Sequence, residues 1–426
     1  MAKIQTIQAR EVLDSRGNPT IEVEILCDDQ TRGAAMVPSG ASTGRFEACE
    51  LRDGDPDRYD GKGVLQAVAH VNELLRHAIV GLDPADQTAI DQVLLQADPS
   101  PQKARLGGNA LLGVSLAAAQ AGSAARRIPL YRHLNVLYNA TGDGARTTCE
   151  PRLPCPMTNM ISGGLHAGGN LDFQDFLILP VGAPRYAVGL EWIVRVYRRL
   201  GELLSRSGYE ARLVGDEGGY GPRLKSNAEA AEFIVRAIEA AQLRPGEDVA
   251  LALDVAATHF FDGEFYQLVA TGQEKLTSSD LIERLVELVD RFPIVSIEDG
   301  LAEDDWTGWR ALTARLGKRV RLVGDDLLVT NSSRLQTAIE RQVGNAVLIK
   351  VNQIGTLSET MATMRLAESH RYLRVVSARS GETEDTLIAD LAVGAAAEQI
   401  KIGCITRSER LAKYNRLLRI AEQVEH

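Results

Sequence analysis

Six apolar segments in the second half of this chain each run into a charged or polar group. In order they are ALALD ending at Asp254, IVSIED at Glu298 and Asp299, RLVGDD at Asp325 and Asp326, AVLIK at Lys350, RVVSARS at Arg379 and Ser380, and QIK at Lys401. Amphipathic stretches separate them, so the unit recurs at roughly 25 residues, the size of one βα step of a parallel barrel. LVGDEGG around Glu217 reads as a further strand end upstream. The C-terminal rim of such a barrel carries the active site, so the carboxylate-bearing and lysine-bearing strands converge on one pocket. Crowded carboxylates repel one another unless a cation binds them, and the pattern therefore predicts a metal enzyme.

The first third of the chain reads differently. TIEVEILC alternates Ile21, Val23 and Ile25 with Glu22 and Glu24, the signature of a half-exposed antiparallel strand. Helical spacing follows at Val64, Val68, Val71, Leu75 and Ile79, again around Ile90, Val93 and Leu94, and in the Ala-rich stretch 109–127. Strands first and helices after describe a small α+β domain. The segment from Thr141 to Pro156, dense in Gly, Thr and Pro, makes a boundary. The expected division is a cap over residues 1–145 and a barrel over 146–426, and 426 residues suffice for two cores.

Charge and cysteine content narrow the class. A net charge of −10 gives no basic face for nucleic acid. Cys27, Cys49, Cys149, Cys155 and Cys404 are odd in number and lack CxxC spacing, which fits reduced thiols better than a disulfide framework. MAKIQTIQAREVLDSRG is polar and lacks the apolar core of a signal peptide. The most apolar run, Ala110 to Ala125, is rich in Ala, Gly and Ser and too short for a membrane span. These features predict a soluble cytoplasmic enzyme that binds neither nucleic acid nor membrane.

Asp254, Glu298 and Asp325 form the candidate metal site. An all-oxygen ligand set with few histidines favours Mg2+ over zinc. Strand-end acids also serve as helix N-caps, but that accounts for one such residue more easily than for three on adjacent strands. Lys350 and Lys401 could snorkel from the rim. Beside a metal-bound anion, a desolvated lysine can instead act as a general base. PSGASTG (38–44) and SGGLHAGGN (162–170) match neither a P-loop nor a dinucleotide-binding turn, and their composition suits lids.

With these residues in place the chain resembles the enolase family. GASTG, GDEGG, SIEDG, VGDDL, IKVNQIGT, SGETED and RSERLAKYN carry the resemblance, which runs from about Ile4 to the C-terminus. It implies an α/β fold: an eight-stranded barrel of the enolase type under an N-terminal α+β cap, assembled as a homodimer or higher homo-oligomer. It also implies two Mg2+ ions per site and removal of water from 2-phosphoglycerate. Position by position, Asp254, Glu298 and Asp325 match the ligands of the first metal, and Ser42 a lid residue that reaches the second. Lys350 matches the base that takes the C2 proton, and Glu217 the acid that helps the C3 hydroxyl leave. Lys401 matches a carboxylate contact, Arg379 and Ser380 phosphate contacts, and His166 the lid histidine. The enolase superfamily is itself the standard example of this chemistry, with a Lys or His base and one or two Mg2+ ions.

Three positions depart from the family pattern. Ala378 stands where the motif has histidine near the substrate phosphate. Asp175 replaces the usual Glu after Gln174, retracting its carboxylate by ~1.5 Å. His259 replaces a Glu close to Asp254. The first two changes enlarge or reshape the phosphate end and leave the proton-transfer set intact. They point to a paralogue that dehydrates a phosphorylated or phosphonylated glycerate with an enlarged 2-O substituent, as carboxyphosphonoenolpyruvate synthase does. The alternatives are an ordinary glycolytic enolase and, in another class, a non-catalytic enolase-like structural or binding protein.

Overall fold

The computed structural model describes residues 2–40, 44–141 and 148–425. It opens with a three-stranded antiparallel meander of β1 (Ile4–Leu13), β2 (Pro19–Cys27) and β3 (Arg32–Met36). Ile21, Val23 and Ile25 of β2 are fully buried, as the alternation predicts. Glu22 and Glu24 turn to the other face, where Arg10 of β1 pairs with both.

The buried face of the meander packs on the helix Gly108–Arg126, which is enclosed nearly all round. That enclosure explains why this stretch is the most apolar of the chain. Contact with the sheet is close: a Cβ on Gly33 would lie 2.2 Å from the backbone nitrogen of Ala121. Helical turns over Leu65–Ile79 and the helix Gln87–Ala97 fall where the periodicity places them.

Beyond residue 148 the chain closes a barrel of eight strands: β4 (Cys155–Ser162), β5 (Asp175–Leu179), β6 (Ala250–Asp254), β9 (Ile294–Glu298), β10 (Arg321–Gly324), β11 (Ala346–Ile349), β12 (Leu373–Ser377) and β13 (Gln399–Lys401). A two-stranded hairpin, β7 (Tyr266–Leu268) and β8 (Glu274–Leu276), interrupts the series after β6. The barrel is not wholly parallel, which corrects the expectation of uniform βα steps. β5 runs antiparallel to both β4 and β6. The loop 163–174 that joins β4 to β5 holds only a 3-10 turn (Gly164–Ala167) and no crossover helix, and the chain returns as a hairpin. The expected cap–barrel boundary at 145/146 and the lid residue Ser42 lie outside the described residues. Among the described residues no helix is long and apolar enough to cross a membrane.

Candidate active site

Side-chain parity builds the site. Met157, Leu177, Ala252, Val323, Leu348 and Val375 form part of the cluster that fills the barrel interior. Successive strand residues alternate faces, so two positions further along the same face reaches the mouth. Those positions are Asn159 after Met157, Asp254 after Ala252, Asp325 after Val323 and Lys350 after Leu348. On the reversed β5 the same rule places Asp175, its first residue, at this mouth, paired in register with Asp254. Polar residues at strand ends are thus the top layer of an otherwise apolar core.

β6, β9 and β10 are neighbours in the barrel, so Asp254, Glu298 and Asp325 stand side by side. None of the three is a helix cap. The helices that follow their strands are capped by Thr277, Asp305 and Asn331. All three acids are more than nine-tenths buried, and lysines separate them. Lys401 Nζ donates to Asp254 Oδ2 and Glu298 Oε2, each at 2.7 Å. Lys350 Nζ bonds Asp325 Oδ2. Burial, then repulsion from Asp254, pushes the Glu298 carboxyl well above the usual range despite Lys401. Burial also acts upward on Asp325, but Lys350 outweighs it and holds Asp325 low.

The donor set suits a divalent cation of the hard, oxygen-seeking kind. Asp254 and Glu298 share one positive charge, that of Lys401, each accepting from its Nζ at 2.7 Å, so two carboxylates face a single ammonium. The tighter groupings of possible ligand atoms among the described residues are others: His166, Asp175 and Glu217, and Asp299, Asp325 and Asp326. In the second group Asp299 accepts the backbone N–H groups of Asp325 (2.9 Å) and Asp326 (2.7 Å), which makes it a brace for the β10 end.

Glu217 lies in a turn beside β4 and not at a strand end, a correction to the reading of LVGDEGG. Gly218, at φ +92°, permits the reversal that aims Glu217 into the barrel. Asn159 Nδ2 donates to Glu217 Oε2 at 3.0 Å. Burial alone raises this carboxyl, but His166, Arg410, Lys401 and Lys350 together hold it down at about 2. In the turn Gly164–Ala167 between β4 and β5, His166 Nδ1 meets Asp175 Oδ2 at 2.7 Å, and Ser162 Oγ donates to Asp175 Oδ1 at 2.8 Å. Burial lowers the His166 imidazole, yet Asp175 and Glu217 prevail and bring it up to about 9. His259 is exposed on a short turn after β6. It lines a cavity with Leu165 of the turn Gly164–Ala167 and Val269 of the hairpin.

Arg379, Ser380 and Ala378 follow β12, four strands around the barrel from β6. Ala378 is buried, and its N–H donates to the carbonyl of Lys401 at 2.9 Å. Arg410 supports this corner, donating to the carbonyls of Arg379 (2.6 Å) and Ser380 (2.7 Å). Sequence reasoning missed several residues here. Glu47 pairs with Arg379 Nη1 at 2.9 Å, and Gln353 Nε2 donates to Asp325 Oδ1 at 2.8 Å. Asn159 and Gln174, whose Nε2 donates to Asp254 Oδ2 at 3.2 Å, were missed too, although the parity that selects Asp254 also selects Asn159.

Two family models match the chain. One, described as the enolase C-terminal TIM barrel domain, covers residues 150–426. The other, described as the enolase N-terminal domain, covers residues 4–134.

Proposed function

Since the chain belongs to the enolase family, we propose that it is a Mg2+-dependent hydro-lyase that dehydrates a 2-phosphoglycerate-like anion to an enol ester. We further propose that its substrate carries an enlarged 2-O substituent, as in carboxyphosphonoenolpyruvate synthase. The observation that carries the reading is the meeting of Lys350, Lys401 and Glu217 with three buried carboxylates on one barrel rim. Residues 1–145 would be the cap and 146–426 the catalytic barrel.

A proton next to a carboxylate is very weakly acidic, because its loss adds negative charge to an existing anion. Asp254, Glu298 and Asp325 would hold Mg2+, which supplies the positive charge that stabilises the developing ene-diolate. Ser42 is the proposed lid contribution to a second ion. Lys350 takes the C2 proton. Paired with Asp325 it is held protonated, its ammonium raised by that carboxylate against the downward pull of burial. It therefore becomes a base when Asp325 is engaged elsewhere. Glu217 lies across the mouth, beside β4, with β12 and β13 between it and β11. From there it can protonate the C3 hydroxyl that leaves. A bound anion neutralises His166 and Lys401, two of the four cations that keep Glu217 ionised, so substrate itself raises Glu217 toward the acid form.

Arg379 and Ser380 would take the anionic group on the 2-oxygen, and Lys401 the carboxylate. His166, oriented by Asp175, faces the same anion as a cation. Removal of an imidazole at position 378 leaves more room at this end without touching the acid and base. The intact set of Lys350, Glu217 and carboxylates equally favours an ordinary enolase as the second reading. Parallel assays decide between them: Mg2+-dependent formation of enol product from 2-phosphoglycerate and from a glycerate with a phosphonoformyl group on the 2-oxygen. Higher kcat/KM for the larger substrate supports the proposal. Full activity on 2-phosphoglycerate with no gain on the larger substrate returns the chain to glycolytic chemistry, and no product from either contradicts a hydro-lyase.

A further inference from the structure

Glu47 follows the GASTG loop on the cap side, yet its carboxylate is buried among barrel residues. Both oxygens are engaged. Oε2 accepts from Arg379 Nη1 at 2.9 Å. Oε1 accepts from the backbone N–H of Gly44 at 2.9 Å, from Arg379 Nη2 at 3.3 Å and from Gln353 Nε2 at 3.3 Å. The same Gln353 amide nitrogen donates to Asp325 Oδ1 at 2.8 Å, and its oxygen accepts from Thr330 Oγ1 at 2.7 Å. Two carboxylates face this nitrogen and can only accept, which fixes the orientation of the amide, and its two N–H groups bridge them. A continuous path thus runs from the end of the cap loop through Glu47 and Gln353 to Asp325 and Lys350.

We propose that Glu47 is a positioning residue: it is the resident counter-charge of the Arg379 anion site and, through Gln353, fixes the cation-facing carboxylate of Asp325. The inference rests on the roles proposed above for Arg379 and Asp325. Two consequences of opposite sign follow. An anion arriving at Arg379 competes with Glu47 for a planar guanidinium already bound in two-point fashion. A cation arriving at Asp325 benefits from Glu47, because Glu47 neutralises nearby Arg379 and holds the Gln353 amide that orients Asp325. Glu47 therefore weakens anion binding and strengthens cation binding at two places in one pocket.

Calorimetric titrations of the full chain with inorganic phosphate alone and with Mg2+ alone test this. Glu47→Gln is expected to bind phosphate about tenfold more tightly and Mg2+ about tenfold more weakly than the wild type. Glu47→Asp keeps the charge and shortens its reach. It is expected to bind phosphate as the wild type does and Mg2+ more weakly. A general loss of packing lowers both affinities, so weakening of both in either variant, or no change in either, overturns the inference. Wild-type chain that binds neither probe overturns the functional reading together with this one. Normal wild-type binding with unshifted variants overturns this inference alone.

Discussion

Lys350 and Asp325 form a buried ion pair at the mouth of the barrel, each side chain only a tenth exposed. The pair stores the proposed base beside the proposed cation ligand, so the state of one sets the charge of the other. Replacing Lys350 by Ala is expected to lower kcat about 10^2–10^4-fold, the usual contribution of a positioned base. Steady-state turnover at saturating Mg2+ measures it. A loss below tenfold would assign proton abstraction elsewhere.

Lys401 bridges Asp254 and Glu298, and its removal leaves two buried carboxylates without that ammonium. Loss of one partner from a buried pair costs about 3–5 kcal/mol. Lys401→Met should therefore unfold at a clearly lower temperature than the wild type in the presence of a chelator. Mg2+ should narrow the gap, since a cation at the same oxygens replaces the missing charge and stabilises the folded form by mass action. A gap that is the same with chelator and with Mg2+ would show that these acids do not bind the ion.

The His166–Asp175 pair yields a titration. With Asp175 beside it the imidazole sits at about 9, above its usual value near 6.5. A raised folded-state value means the pair stabilises the fold fully below the unfolded value, and that contribution fades as pH rises through 9. Asp175→Asn is expected to move the His166 imidazole down, read by NMR across pH. An unmoved titration would locate the cause in Glu217 and Asp254 instead.

His133 behaves in the opposite sense. It is fully buried in the cap, and neither ring nitrogen has a hydrogen-bond partner among the described residues. Burial, with some help from Arg126, pushes it down to about 4. The unfolded chain takes up this proton first, so the linked stability is present above roughly pH 6.5 and is lost as pH falls toward 4. Denaturant unfolding should show about 2 kcal/mol of acid sensitivity between roughly pH 7 and pH 5, absent in His133→Phe. Equal pH dependence in both proteins would contradict it.

Much of this arrangement was legible because a barrel writes its active face into strand parity. Asp254, Glu298, Asp325, Lys350 and Lys401 each end an apolar run, and that run is the strand beneath them. The reversal of β5 was hidden, because a run such as DFLIL reads the same in either direction. Glu217 was misplaced for a related reason: Leu213 and Val214 precede it like a strand, but the glycines on both sides make a turn. Glu47 and Gln353 lie 306 residues apart, a separation at which local periodicity carries no signal. Asp299 was visible as an acid, but its role as acceptor of two backbone amides exists only once β9 and β10 are side by side.

If an intact enolase-type proton-transfer set serves a pocket reshaped at Ala378, restoring the imidazole should restore the smaller substrate. The quantity to measure is kcat for 2-phosphoglycerate, with saturating Mg2+, in the wild type and in Ala378→His. Poor wild-type turnover is expected, well below the roughly 10 per second common for enzymes on their own substrates, with a rise of at least about tenfold in the variant. Vigorous wild-type turnover that the added imidazole leaves unchanged or lowers would contradict a reshaped pocket.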